Sequence, residues 1–376
     1  MLRRAVGRLN PCARGMLGAL AFAAGGCSSI APVLDPSPPA PVEAPPPPEP
    51  QPAVRLACAD APEALVAPPP RGLPPLDATS RGDVLRCARG AHLAAADVDH
   101  QITLRNAKPP GAVTGVTLYR IVYRVRRGEG ASEPASLAGA VVFVPDGPRV
   151  TDAAVVFAHD EVGLAAACAP SHGPPAAIPL AFAGAGLITI APDGAGFGFG
   201  AAPHAFYAAS DEARSLFDAA RALAKLVAPD LAPKRLVFVG DGAGGHAVLA
   251  AQALARADGL EPAVAGVVAT SPMWVSPRLF AAVARDDAAA RKDAAARDLL
   301  FSLLYFHGHG ELDGGAGAGV AILNRERRGE IAALLDTHCL AQLDDDLRDA
   351  RPEEVIDRGF AEAVATCLAH RPACSS

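Results

Sequence analysis

The segment Leu236-Val-Phe-Val-Gly-Asp-Gly-Ala-Gly-Gly-His-Ala-Val-Leu249 limits the fold more than any other part of the chain. Its first half is a continuous apolar run, the pattern of a strand buried on both faces of a parallel sheet. Its second half reads as a helix. Between them, Gly240-Asp241-Gly242-Ala243-Gly244 forms a glycine-packed turn in which backbones can approach closely. A strand that turns directly into a helix belongs to a layered α/β structure.

The flanking sequence agrees. Residues 116–126 alternate apolar and polar side chains like a half-exposed strand, and 138–145 make a second strand. Residues 153–158, 186–191, 235–239 and 265–270 are continuously apolar, as strands buried on both faces are. Between 186–191 and 235–239, Leu216, Phe217, Ala220, Leu223 and Leu226 form a stripe at helical spacing, with Ser210 as the expected N-cap and Asp211 and Glu212 at the positive helix end. The expected topology is an antiparallel entry followed by β-α-β-α-β with right-handed crossovers. Beyond Pro272 the chain reads as helices, a cap and tail over about 275–376, broken by Gly308-His-Gly310 and a Gly-rich stretch at 314–319. Residues 302–306 are the one further strand candidate, between flanks that look helical.

The first seventy-odd residues have a different texture. Arg3, Arg4, Arg8 and Arg14 precede a short apolar run that ends in Gly25-Gly26-Cys27. A positive start, a short apolar stretch and small residues before a cut make 1–26 an export signal, too short to span a bilayer. The small residues before Cys27 resemble a bacterial lipobox, which implies lipidation of Cys27 and attachment to the cell envelope. The proline-rich stretch that follows lacks the apolar side chains to fold, and 27–78 is expected to be a stiff tether reaching on the order of 100 Å. The folded domain is expected over 79–376.

Removal of 1–26 takes the formal charge from −6 to −10, which argues against a nucleic-acid partner. Beyond Cys27, six cysteines remain: Cys58, Cys87, Cys168, Cys339, Cys367 and Cys374. An even number in an exported chain suggests up to three disulfides, with Cys367 and Cys374 close enough to staple the tail. None has zinc-site spacing, so neither a metal nor a cofactor is expected.

Four segments together resemble the secretory-lipase branch of the α/β-hydrolase superfamily. They are His159-Asp-Glu-Val-Gly-Leu164 with Cys168-Ala-Pro-Ser171, Ala191-Pro-Asp-Gly-Ala-Gly-Phe-Gly198, Asp218-Ala-Ala-Arg-Ala222, and the turn from Gly240 to His246. The likeness covers about residues 100–350. It implies a mostly parallel sheet with a helical cap, and ester hydrolysis by a serine held in a G-x-S-x-G elbow. In this chain Gly242 stands in the serine's place, between Gly240 and Gly244. The turn that would help bind the oxyanion, together with the backbone N–H of Ala243, carries Asp160 and Glu161 where the family has Gly-Thr. The strands that would carry the family's acid and histidine are not recognisable, so the fold is expected to be C-terminally shortened, with 265–270 as an apolar sheet edge.

Asp241 is one candidate substitute nucleophile, and His309 with His307 and Asp313 a candidate relocated acid–base group, placed by the sequence in a Gly-rich loop. His246 matches a non-catalytic family position, and His159 is expected to shape the site. Three readings follow. The chain is a tethered, inactive relative that binds an acyl or other apolar small molecule; it is an active lipase or esterase with a relocated site; or it is a truncated, non-functional product.

Overall fold

The computed structural model describes residues 53–370 apart from 71, 105–110, 128–135, 148–149, 200–201, 261–262 and 285–292. The export signal, Cys27 and most of the expected tether lie outside the described residues. So does Cys374, and with it the expected Cys367–Cys374 staple.

Seven strands form one sheet in the order β1-β2-β3-β5-β4-β6-β7. They are β1 Val84–Leu93, β2 Val116–Val125, β3 Ser136–Pro145, β4 Ala153–Ala158, β5 Thr189–Pro192, β6 Arg235–Asp241 and β7 Val264–Thr270. The β1–β2, β2–β3 and β3–β5 ladders are antiparallel, whereas β5, β4, β6 and β7 run parallel. The expected antiparallel entry into a parallel sheet is present, with one further strand, β1, ahead of it.

The helices of the layered part are α1 Pro62–Leu65, α2 Ala95–Thr103, α3 Ala177–Gly184, α4 Ala209–Leu226 and α5 Ala243–Leu254. The cap comprises α6 Pro277–Ala281, α7 Asp293–Asp313, α8 Ala318–Ala321, α9 Arg328–Thr337, α10 Leu340–Asp346, α11 Pro352–Val355 and α12 Arg358–Ala369. The main core joins one sheet face to α4 and α5 through Tyr123, Phe217, Leu223, Phe238 and Val248. The opposite face packs against α2 and α3 through Val98, Ile102, Phe143 and Leu180. Helices on both faces explain why β2, read as half-exposed, is buried along most of its length.

Three sequence expectations are corrected. The tether does not extend to residue 78: Val54 bridges Val227, Ala228 donates its N–H to Ala53 O at 2.9 Å, and Cys58 is bonded to Cys87. The domain therefore begins by residue 53, because Val54 and Cys58 join the core. Residues 302–306 are helical, within α7. His307 and His309 lie on that same helix, not in a loop. It tolerates Gly308 and Gly310 because it runs against neighbouring backbone: a side chain on Gly308 would meet His204 O at 2.8 Å, and one on Gly310 the Cα of Gly319 at 2.7 Å.

Asp218 and Arg221 of α4 form a largely buried network with Arg81 and Asp258. Arg81 Nε lies 2.7 Å from Asp218, and Arg221 lies 3.0 Å from Asp218 and 2.6 Å from Asp258. The Asp-x-x-Arg spacing on α4 thus ties the helix to the segment before β1. Among the described residues β7 has no second neighbour, and Val268 on it is 49% exposed, as an apolar edge.

A second disulfide, Cys168–Cys339, spans 171 residues and fastens the cap to the loop after β4. Replacing both cysteines with serine is expected to lower the unfolding free energy by about 2–5 kcal/mol. Urea denaturation of the non-reduced proteins measures the difference, and equal midpoints would show that the cap is held by packing alone.

Candidate active site at the strand–helix turn

β6 ends at Asp241, Gly242 turns the chain, and α5 starts at Ala243. Gly242 has φ 55° and ψ −117°, a conformation costly for a residue with a Cβ. Its N–H is held by Thr270 O at 3.0 Å, and its carbonyl accepts the His246 N–H at 3.2 Å. Gly240 and Gly244 pack backbone to backbone: a Cβ on Gly240 would collide with Gly244 O, and one on Gly244 with Ala158 O. The chain thus turns sharply from strand to helix at a glycine, with no side chain at the apex.

The room above Gly242 is filled from β4. A Cβ built on Gly242 would collide with the carboxylate of Asp160. Asp160 Oδ1 accepts the N–H of Ala243 at 2.9 Å and that of Glu161 at 2.8 Å. Ala243 N–H is the donor that an acyl-transfer site would aim at a developing oxyanion. Here a carboxylate already occupies it, at the positive end of α5.

Two more carboxyl groups crowd the same place. Glu161 Oε1 accepts the N–H groups of Val162 at 2.9 Å and Gly163 at 2.6 Å. Burial pushes its carboxyl up to about 8, and the charges of Glu212 and Asp160 add to the rise against those two hydrogen bonds. Glu212, on α4, takes the Tyr207 N–H at 3.0 Å and faces His246 Nδ1 at 2.7 Å. Burial raises its carboxyl too, against the opposing effect of His246. Tyr207 is buried at φ 59°, with its ring edge-on to His246 at 4.8 Å. Burial, reinforced by these carboxylates, holds its hydroxyl well above the usual phenol range.

His159, His204 and His309 are engaged, while His307 is buried with Nδ1 lacking a hydrogen-bond partner among the described residues. His159 lies 2.6 Å from Asp160 O through Nδ1 and 2.9 Å from Asp193 O through Nε2, a strut between the turns after β4 and β5. His204 stacks on Phe197 at 4.7 Å, and burial lowers its pKa to about 4. His309 faces Phe206 O at 3.1 Å and Asp313 at 3.4 Å, and stacks on Tyr305. Asp241 accepts the Thr270 hydroxyl at 2.6 Å, toward β7.

The structure therefore gathers Asp160, Ala243 and the Gly240–Gly244 turn, while Asp241 and His309 are each bonded to partners of their own. Sequence reasoning missed the Glu212–His246 pair, because Glu212 reads as an ordinary acid in a helix's first turn. The cleft left among His159, Asp160, Glu161, Glu212 and Ala243 measures about 40 Å³. That is room for one or a few waters, and an acyl chain does not fit in it. The cap closes above, with Leu303, Leu304, Ile331 and Leu335 buried together with Leu164, Tyr207 and Ala243.

The Glu161 shift has a consequence for stability. Its carboxyl rises from 4.5 to about 8 on folding, so the folded chain holds more protons than the unfolded one between those values. Its contribution is present below pH 4.5 and is lost as the pH climbs through about 8. Glu161→Gln keeps an oxygen for the two N–H groups and removes the titration. The melting temperature of the variant is expected to fall less than that of the wild type between pH 5 and about 8, with Glu212 supplying the remaining slope. Identical slopes in a thermal-shift series would contradict the assignment.

Neither a family model nor a curated protein sequence matches the chain. Solved structures do. A protein of Legionella pneumophila described as a candidate hydrolase aligns with TM-score 0.60 and 16% identity, over 76% of each chain. The rice cell wall degrading esterase LipA of Xanthomonas oryzae aligns with TM-score 0.57 and 16% identity, also over 76% of each. Candida antarctica lipase A in its closed state aligns with TM-score 0.55 and 18% identity, over 77% of this chain and 64% of the lipase. At these identities the likeness is one of architecture: the chain has the α/β-hydrolase fold.

Proposed function

We propose that the chain is an exported, lipid-tethered protein of α/β-hydrolase fold that does not cleave esters and acts by binding. The observation that carries this reading is the Asp160 carboxylate, 2.9 Å from the Ala243 N–H and in the space of the absent Gly242 side chain. An acyl transfer at this turn lacks its nucleophile. Its oxyanion would also have to form beside a fixed negative charge, a repulsion of about 4 kcal/mol at 4 Å and an effective dielectric of about 20. The disulfides Cys58–Cys87 and Cys168–Cys339 support an oxidising compartment and hence export. The small residues before Cys27 support the lipid anchor.

One observation favours a second reading. Glu212 and His246, 2.7 Å apart beside the elbow, form a carboxylate–imidazole pair of the kind that activates nucleophiles. A working hydrolase with a relocated site would use that pair.

Purified protein is expected to turn over p-nitrophenyl butyrate no faster than buffer and to take up no fluorophosphonate. Gly242→Ser is expected to be equally silent, and so is Gly242→Ser combined with Asp160→Gly, because His159 and His246 are bound elsewhere. Wild-type turnover abolished by His246→Ala would overturn this reading and establish the second. In a bacterial host, Cys27→Ala is expected to abolish labelling by a fatty-acid analogue and to release the protein from the membrane fraction. Retention without label would remove the anchor from the proposal.

A further inference from the structure

A second cavity, sharing no lining residue with the elbow cleft, lies against β1, β2 and α1 and measures about 320 Å³. That is the lower end of the range of small-molecule sites. Its floor is apolar, made of Leu65, Ala88, Val122 and Phe199, which pack together as a small separate core. The guanidinium on its face of the sheet is that of Arg120, which pairs with Ala88, whereas Arg89 pairs with Tyr119 on the other face and borders the groove through its backbone; His172 lines it too, and no carboxylate is among the lining residues. In a chain with a net charge of −6, that is a local reversal of sign. Asp193, which backs the floor at Gly139, is buried and turned into the Ser171 N–H and hydroxyl, at 2.7 and 2.6 Å.

The walls are built. The Cys58–Cys87 disulfide and the Ala59–Ala88 bridge fix the segment leading into α1, and Arg86 donates to Pro68 O at 2.6 Å on its far side. The Arg120 guanidinium is aimed by its own bonds: Nε donates to Ser171 O at 2.7 Å and Nη2 to Gly173 O at 3.0 Å. That leaves Nη1 without an acceptor among the described residues. Gly90 keeps that nitrogen uncovered, since a Cβ there would lie 3.5 Å from Nη1 and 3.3 Å from Leu118 O. The β1–β2 register shifts between Arg89 and His92, at this glycine. Such an irregularity re-aims neighbouring side chains.

We propose that this groove binds a small amphiphile with a single carboxylate head, held by Arg120, its alkyl tail lying on Leu65, Ala88, Val122 and Phe199. Planar guanidinium groups match a carboxylate in shape as well as charge. The apolar floor takes a tail that the polar elbow cleft cannot. The inference rests on the reading that the chain binds, and it stands or falls without regard to ester cleavage, since the two sites share no residue.

Calorimetric titration of the full folded domain with octanoate, 1-octanol and octyltrimethylammonium tests it, with p-nitrophenyl butyrate turnover followed in parallel. Octanoate is expected to bind, the alcohol at least about tenfold more weakly, and the cation not at all. Arg120→Gln is expected to weaken octanoate by at least about tenfold. Val66→Asp, on a wall residue 55% exposed and so harmless to folding, is expected to do the same. Turnover is expected to stay at the buffer rate throughout. No octanoate binding by folded wild type, equal binding of alcohol and acid, or octanoate binding indifferent to both substitutions would each overturn the proposal. Turnover without octanoate binding would instead overturn the non-hydrolytic reading as well.

Discussion

The N–H of Ala243 opens a helix at a sharp turn, and such a group must find an acceptor. In this chain the acceptor is the Asp160 carboxylate, and much of the candidate site follows from that one bond. The carboxylate reaches Ala243 only because Gly242 has no side chain, and Gly242 can adopt its backbone conformation for the same reason. The two residues are therefore physically coupled. A serine at 242 would drive into Asp160, and a neutral small residue at 160 would leave the amide to water. Gly242 and the acid in the facing turn thus form one arrangement, with an internal carboxylate seated on the first amide of the helix.

That anion brings a need for containment. Asp160, Glu161 and Glu212 meet at the base of the cap, and their mutual repulsion must be offset by N–H donors, an imidazole or a retained proton. The structure uses all three: the amides of Ala243, Val162 and Gly163, the ring of His246, and the elevated carboxyl of Glu161. The turn that carries these donors is held from the cap side, where Leu340 donates its N–H to Val162 O at 2.9 Å and Cys339 bonds Cys168. The cap's apolar side chains meet Leu164 and Ala243 directly, and that contact holds the acidic turn in place.

The parallel strands and the elbow were legible in the sequence because burial on both faces leaves continuous apolar runs, and because the turn's glycines have few other uses. β1 was not legible. Val84-Leu-Arg-Cys-Ala-Arg-Gly-Ala-His-Leu93 has no clean alternation, because its ladder slips at Gly90 and its Arg86 serves a loop carbonyl. The histidines of α7 were misplaced for a related reason. Glycines normally break helices, but Gly308 and Gly310 are retained where a neighbouring backbone passes too close for a side chain. Residues 53–60 are hidden in the compositional weight of the surrounding prolines, although Val54 bridges Val227, Cys58 is bonded to Cys87 and Arg55 donates to Lys225 O. The acidic turn was readable as a defect in an oxyanion hole. Its geometry, with the carboxylate seated on the donor, is a long-range fact about β4 and α5 that local pattern does not contain.

Charge placement connects the elbow to the rest of the molecule. A hydrolytic cleft should welcome negative charge as it develops and release a carboxylate product. Here the elbow gathers three carboxyl groups around about 40 Å³, and the Asp160 carboxylate already sits on the Ala243 amide that such an anion would need. The guanidinium that could receive such a group, that of Arg120, lies instead against β1 and β2, over an apolar floor and on rigid backbone. The same fold thus carries an acidic, filled elbow and a basic, open groove. In the groove, free volume, apolar surface and a positive group come together, as they do not at the elbow.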